Sequence, residues 1–584
     1  MPILRTILDR LIYNDEYDDI EEALSDSNVG ARKGRNVRDN ILVLNAITNS
    51  IINGKEKSVD IQIFDIEKCF DALWVEECVN DLYESGFQSD KLPLLFQENQ
   101  NAMIAVKTAT GLSRRKLIQN IIMQGTVMSS LCCTATMEKL GQLVYKNAEL
   151  TYKYKGEIEI PSLGMIDDIL AVQKCSKDTV KINAAINAFV ECKKLKFSKG
   201  KCHQIHIEKK PNNQNECSQL KVHDDVMKQA TKEKYLGDIV DVSGKIRSTV
   251  EDRKCKGYGM VAEIIAIVND IQLGKYKTEI GLKLRQAMLL SGLLFNSEAW
   301  HGITETEIKI LESVDEHLLR LLVGAHSKTP LEFLYLETGA IHIRFIIACR
   351  RMIYLQTILK RSDSELTKRI YSAQKEDPLK GDFYWLVVKD FKMIGETLNE
   401  SEIRCKSKIS HKNNIKQKIR NAALIYLKEK QNNHSKIRDI VYEKLEPQTY
   451  ISSPLFNNSE VSLLFALRSR YIDCKANFKS KYHNGDLLCQ VCAKSEENQN
   501  HLLECDILNS KLKSEDIIKE KAEYNDIFKD VKKQKVIVTL FSKLLEIRKK
   551  ILNEQQLSNP SILDKMLKNR YDLQKCIVSG SFGN

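Results

Sequence analysis

Polar and apolar positions change period several times over the first part of this chain. In "DNILVLNAITNSIING" the residues Ile41, Leu44, Ile47 and Ile51 recur at helical spacing, with Asp39 placed to cap the helix and Gly54 to end it. "VDIQIFDI" switches to alternation at Ile61 and Ile63, which predicts a strand. Helical spacing returns in "DALWVEECVNDLYESGF" at Trp74, Cys78, Val79 and Leu82, and stops at Gly86. A longer helix is predicted after "QGT", through Met128, Leu131, Met137 and Leu140. "PSLGMIDDILAV" is too short for two helices, and its apolar runs flank an Asp pair, so it fits a hairpin. "INAAINAFVECKKL" predicts a helix and "CHQIHIE" a strand. Strands and helices in this mixed order give an α+β layout, unlike the regular alternation of a doubly wound sheet. After about Asn215 the pattern predicts an almost wholly helical chain, as in "IGLKLRQAMLLSGLLFNSEAW" and "IRFIIACRRMIYLQTIL".

Composition narrows the class without deciding it. At 584 residues the chain exceeds what one hydrophobic core usually supports, so several domains are expected. No apolar run approaches membrane-spanning length and the N-terminus lacks the layout of a signal peptide, which predicts a cytoplasmic or nuclear location without membrane contact. There the 16 cysteines would be reduced thiols or metal ligands. The net charge of +11 is modest, but basic residues cluster. Between Glu402 and Lys430 stand nine Lys/Arg and two Glu. Such a stripe suits a phosphate backbone, but taken alone it fits a solvated helix face slightly better.

Two constellations carry chemistry. Asp167 and Asp168 are expected at a hairpin tip between apolar flanks, and Asp65 ends an earlier strand in "IFDIEKCFD". Adjacent carboxylates repel unless a cation neutralises them, and Mg²⁺ takes one or two carboxylates together with substrate phosphates. If the two strands are neighbours, the three carboxylates converge and can hold two Mg²⁺ ions. The second constellation is "LCQVCAKSEENQNHLLEC". Cys489 and Cys492 are separated by two residues in a tight turn, and His501 and Cys505 lie one helical turn apart. Both spacings suit one tetrahedral Zn²⁺ site.

The order of motifs resembles the reverse transcriptase domain of non-LTR (LINE-type) retrotransposons from about Asn28 to Asp238. "NVGARKGRNVRDN" looks like the Gly- and Arg-containing segment before the palm, and "FDIEKCFDALW" like the first catalytic motif, with Asp65 as metal ligand. Phe70 falls where such polymerases crowd the sugar 2′ position, and Asp71 matches a second acidic residue common in the family. "MQGTVMSSL" looks like the Gln124-Gly125 motif beneath the nascent base pair. "GMIDDI" matches the Asp-Asp motif, though Met165-Ile166 replaces the commoner aromatic-Ala. "FSKGKCHQIHI" matches the lysine motif, with Lys201 near the departing pyrophosphate. "KYLGDIV" matches the primer grip at Tyr235, Leu236 and Gly237.

This resemblance implies a right-hand polymerase with partial fingers over 1–60, a palm over 61–240, a helical thumb over 241–330 and a helical connector over 331–480. A zinc knuckle over 481–510 and a helical tail over 511–584 follow, a knuckle downstream of the polymerase being frequent in LINE-type proteins. The implied partners are an RNA template, a DNA primer and deoxynucleoside triphosphates. Catalytic residues would be Asp65, Asp167, Asp168 and Lys201, with Phe70, Gln124, Gly125, Arg32 and Arg35 at the nucleotide and template. The chain begins inside the family's fingers and lacks its upstream endonuclease, so a truncated copy is expected. The competing reading is a remnant that binds RNA or DNA without turnover.

Overall fold

The computed structural model describes residues 3–87, 89–99, 102–118, 127–145, 151–160, 162–174, 176–209, 220–222, 225–270, 276–478, 486–512 and 527–557. The predicted Gln124 and Gly125 lie outside the described residues. The chain divides into two compact units that interleave along the sequence. The first holds Met1–Lys256, Gly292–Leu311 and Ile343–Ile419; the second holds Gly257–Ser291, Glu312–His342 and Arg420–Asn584.

The first unit is built on a five-stranded mixed sheet of β1 (Ser58–Phe64), β2 (Leu163–Met165), β3 (Asp168–Gln173), β4 (His203–Glu208) and β5 (Lys228–Gln229). Its order is β5-β4-β1-β3-β2, antiparallel except for the β4–β5 pair. Central β1 is buried at six consecutive positions, as expected for a strand covered on both faces. Phe64, Ile169 and Ala171 join the core cluster of helices α2 (Val127–Tyr145) and α3 (Ser176–Cys192). Helix α1 (Val37–Asn53) packs on β1, β2 and β4.

Three local expectations need correction. Helix α1 is capped by Asn36, not Asp39. The Asn36 side chain takes a first-turn N–H, while Asp39 reaches back to the Asn36 N–H in a capping box. Buried Asp39 also accepts from the Tyr354 hydroxyl at 2.5 Å and pairs with Arg361 at 2.8 Å, so its charge serves packing within this unit. The helix predicted through Trp74 breaks there. A short turn Cys69–Ala72 ends, exposed Trp74 becomes the N-cap of Val75–Glu84, and Cys78 and Leu82 are buried. Strands also continue past Asn215: β5, β6 (Lys232–Tyr235) and β7 (Asp238–Asp241) precede the first long helix, Arg247–Asp270. Their alternation is masked in the sequence by lysines on the exposed side.

The second unit is helical, including Leu331–Thr338, Asn458–Arg468 and Val531–Leu557. At its centre Glu337 is fully buried and fully satisfied. It accepts from the Tyr442 and Tyr450 hydroxyls at 2.6 and 2.7 Å and from Arg468 at 2.8 and 2.9 Å. A buried carboxylate is tolerable only with such complete pairing.

Candidate active site and metal centre

The sheet register brings the predicted carboxylates to one edge. Ile63 pairs with Leu170 and Phe64 with Ile169, so continuing the ladder by one residue sets Asp65 opposite Asp168. Side chains alternate across a strand, so both carboxylates belong to the face of Ile63 and Leu170. Asp167 sits in the two-residue turn between β2 and β3, whose last pair is Met165 with Asp168. Asp65 and Asp168 line one cavity of about 250 Å³ with Lys201, His203, Glu233 and Tyr235.

The electrostatics are those of like charges held together. Burial raises the Asp167 pKa above its usual value, and Asp65 adds to the shift. Asp168 is open to solvent on one side but backed by apolar neighbours. That desolvation, with the charges of Asp167 and Asp65, lifts its pKa to about 6. The lysine motif wraps Asp65. Ser198 Oγ donates to Asp65 Oδ1 at 2.7 Å, and Lys201 Nζ to Oδ2 at 3.1 Å. Among the described residues, the three carboxylates do not form a tight set of metal-ligating atoms, whereas the Cys₃His group does. The aspartates thus offer an open cradle of oxygen ligands whose repulsion a hard cation would relieve.

The other residues singled out in the sequence have the following surroundings. Phe70 is half-buried in the turn Cys69–Ala72 and packs on the core, and Asp71 is exposed. Leu236 and Gly237, both with positive φ (47° and 94°), form the two-residue connection of the β6–β7 hairpin, as a type I′ turn requires. Buried Tyr235 donates its hydroxyl to the Leu163 carbonyl at 2.5 Å, tying this hairpin to β2. Arg32 and Arg35 do not present free cations. Arg32 is buried, paired with Glu21 at 2.7 Å and donating to the carbonyls of Leu24, Ser25 and Asn28. Arg35 pairs with Glu21, Asp26 and Glu365. Both guanidinium groups are spent on folding this segment.

Sequence reasoning missed Ser198, Asn28 and the His203–Glu233 pair, whose Nδ1 and carboxylate lie 3.1 Å apart in the cavity wall. His203 was findable: it lies within the lysine motif and opens β4, hence stands at the same sheet edge. Asn28 opens the quoted segment "NVGARKGRNVRDN" but gave no signal of its own, because an Asn two places before a Gly reads as an ordinary turn residue.

Residues 2–240 match the family model described as reverse transcriptase (RNA-dependent DNA polymerase). Over those residues the chain is similar to reverse transcriptases. None of the curated proteins matches it. Among solved structures, apo telomerase from Candida Tropicalis is 14% identical over 63% of this chain and 61% of that one, with a TM-score of 0.34. Telomerase from Candida albicans in complex with a TWJ fragment of telomeric RNA is 13% identical over 68% of this chain and 55% of that one, with a TM-score of 0.29. A C-terminally truncated apo telomerase from Candida Tropicalis is 16% identical over 40% and 43%, at 0.29. The chain thus spans less than two thirds of the length of these telomerase chains.

Outside residues 2–240, Cys489, Cys492, His501 and Cys505 bring their ligand atoms within 4.8 Å of one another. The helix Gln499–Glu504 carries His501 and ends at Cys505, which realises the predicted one-turn spacing. Cys492 Sγ lies 3.3 Å from His501 Nε2. Desolvation works against the Cys492 thiolate, but hydrogen bonds from the Lys494 backbone and His501 outweigh it and bring the pKa down to about 7. Three thiols and an imidazole at this separation suit zinc.

Proposed function

We propose that this chain is an RNA-directed DNA polymerase of the non-LTR retrotransposon type, extending a DNA 3′ end along an RNA template. The observation that carries this reading is the meeting of Asp65, Asp167 and Asp168 at one sheet edge beside Lys201. In it, residues 61–240 act as palm, 1–60 as partial fingers, 241–330 as thumb, 331–480 as connector, 481–510 as knuckle and 511–584 as tail. Asp65, Asp167 and Asp168 would hold two Mg²⁺ ions, which supply charge stabilisation for the attacking hydroxyl and the leaving pyrophosphate. Cys489, Cys492, His501 and Cys505 would hold one Zn²⁺.

The protein's own part is placement. Ser198 and Lys201 fix the orientation of Asp65, and Lys201 sets a cation next to the carboxylates, where it can meet a phosphate when a nucleotide arrives. Phe70 would crowd a ribose 2′-hydroxyl. Gln124 and Gly125 would support the base pair, and the Tyr235-Leu236-Gly237 turn the primer end. A second reading, binding of RNA or DNA without turnover, is favoured by one observation: Arg32 and Arg35 are consumed by carboxylates instead of facing a triphosphate.

Extension of an oligonucleotide primer on an RNA template with Mg²⁺ separates the two. Extension that Asp65→Asn or Asp168→Asn lowers by about 10²-fold or more is expected of the polymerase. Template binding with no extension by the unaltered protein would leave the second reading standing.

A further inference from the structure

The turn that carries Asp167 is held in a disfavoured conformation. Ile166 has φ = 60°, a left-handed backbone that a β-branched residue seldom adopts. Something must hold it, and the holder is Asn28, 138 residues earlier in the chain. Its Nδ2 donates to the Ile166 carbonyl at 2.9 Å, and its Oδ1 accepts the Ile166 N–H at 3.0 Å. A side-chain amide here copies the paired hydrogen bonds of a neighbouring strand. It grips both peptide units that flank the Ile166 Cα, whose torsions decide where the next residue, Asp167, points.

Asn28 is itself immobilised. It is buried at 2% exposure, and its Oδ1 also accepts the Gly30 N–H at 2.9 Å. On the main chain, the Gly164 N–H donates to the Ser27 carbonyl at 2.7 Å and the Val29 N–H to the Gly164 carbonyl at 3.0 Å. The segment therefore lies along β2 as an extra edge. Two glycines make the approach possible. A Cβ on Gly30 would stand 2.5 Å from Ile166 N, and one on Gly164 would stand 2.8 Å from Asn28 Nδ2. Arg32, whose Nη1 donates to the Asn28 carbonyl at 3.2 Å, braces the same loop.

We infer that Asn28 is a positioning residue for the Asp167–Asp168 turn, locking Ile166 so that mutually repelling carboxylates stay at the edge facing Asp65. This rests on the polymerase reading for its catalytic consequence, though not for the grip itself. Released from the amide, the turn would relax toward a negative φ and the carboxylates would move apart, weakening any shared cation site.

Three measurements on the full chain test this with Asn28→Ala, and with Asn28→Asp as the near-isosteric variant that keeps the acceptor but loses the donor. Hydrogen exchange of peptides spanning Leu163–Val172 should speed up by tenfold or more in both, with β4 unchanged. Binding of Mn²⁺ alone, followed by electron paramagnetic resonance, should weaken several-fold in Asn28→Ala. In Asn28→Asp the added charge would by itself strengthen binding, so any weakening there counts doubly. In primer extension, kcat should fall, the Mg²⁺ needed for half-maximal rate should rise, excess Mg²⁺ should partly restore activity, and primer affinity should hold. Unchanged exchange at the turn in both variants would overturn the inference, as would a loss of protection spread evenly over the chain in Asn28→Asp. If the unaltered protein neither binds Mn²⁺ nor extends primers, the polymerase reading and the catalytic consequence fail together. Exchange at the turn alone then decides the grip.

Discussion

At the scale of the residue, the carboxylate edge is a place where like charges held together cost stability. Asp168 has its pKa raised from 3.8 to about 6 by burial and by its acidic neighbours. Between those two values the folded state binds more protons than the unfolded one, so this group makes stability fall as pH rises through the window, and the loss is complete above about pH 6. Asp168→Asn removes the repulsion. It should melt at a higher temperature than the unaltered protein at pH 7.5 without divalent ions, and the gap should close as pH approaches 4. Thermal melts at several pH values check this, and an equal or lower melting point at pH 7.5 would mean that the carboxylates are not strained. The same scale shows where the sequence misleads. Asp167 and Asp168 stood out because charge between apolar runs is unusual. Arg32 and Arg35 looked like ligand cations because their partners, Glu21, Asp26 and Glu365, become neighbours only in the fold.

Among the elements, what was legible followed from periodicity. The alternation in "VDIQIFDI" and the paired apolar runs around Asp167 announced β1 and the β2–β3 hairpin, and their antiparallel ladder then set Asp65 against Asp168. What was missed depends on side chains that serve two elements at once. Asp39 suits an N-cap by residue type, yet Asn36 takes that role while Asp39 is engaged by Tyr354 and Arg361. The Cys₃His cluster was legible because ligand spacing is local. Its seating was not: Arg548, from the helix Val531–Leu557, reaches buried Glu497 and donates to Gln490 Oε1 at 2.8 Å. Metal-free, the loop would be held by these and a few other hydrogen bonds, such as Gln499 to the Leu467 carbonyl, without the folding free energy that structural zinc contributes directly. The double variant Cys492→Ser, Cys505→Ser should therefore lose its one zinc per chain by elemental analysis and become cleavable by protease between Leu487 and Ser510. Full zinc content in that variant would remove the knuckle from the proposal.

At the scale of the whole molecule, the question is whether an excess of +11 charges acts as a field or as a surface. The basic stretch after Glu402 is less free than its sequence suggests. Lys406 pairs with Glu402, and Lys418 pairs with Glu396. Lys408, Lys412 and Lys416 are exposed along the helix Lys408–Gln431 and have no ion pair among the described residues. These three lie in the first unit, the one that holds the carboxylate site. A cation that already has a carboxylate releases little when a phosphate arrives, whereas a free one displaces counterions from the nucleic acid. Each contact with a single strand contributes about 0.7 to the slope of log affinity against log salt. Changing Lys408, Lys412 and Lys416 to Gln should then lower the slope for single-stranded RNA by about 2, with no change in sequence preference. Changing Lys406 and Lys418 instead should leave the slope nearly as it was, because each removal frees an acid as well as a base. Fluorescence anisotropy across a salt series distinguishes the outcomes. Equal slopes for all three proteins would make the stretch a solvated helix face and would send the search for the template path elsewhere on the first unit.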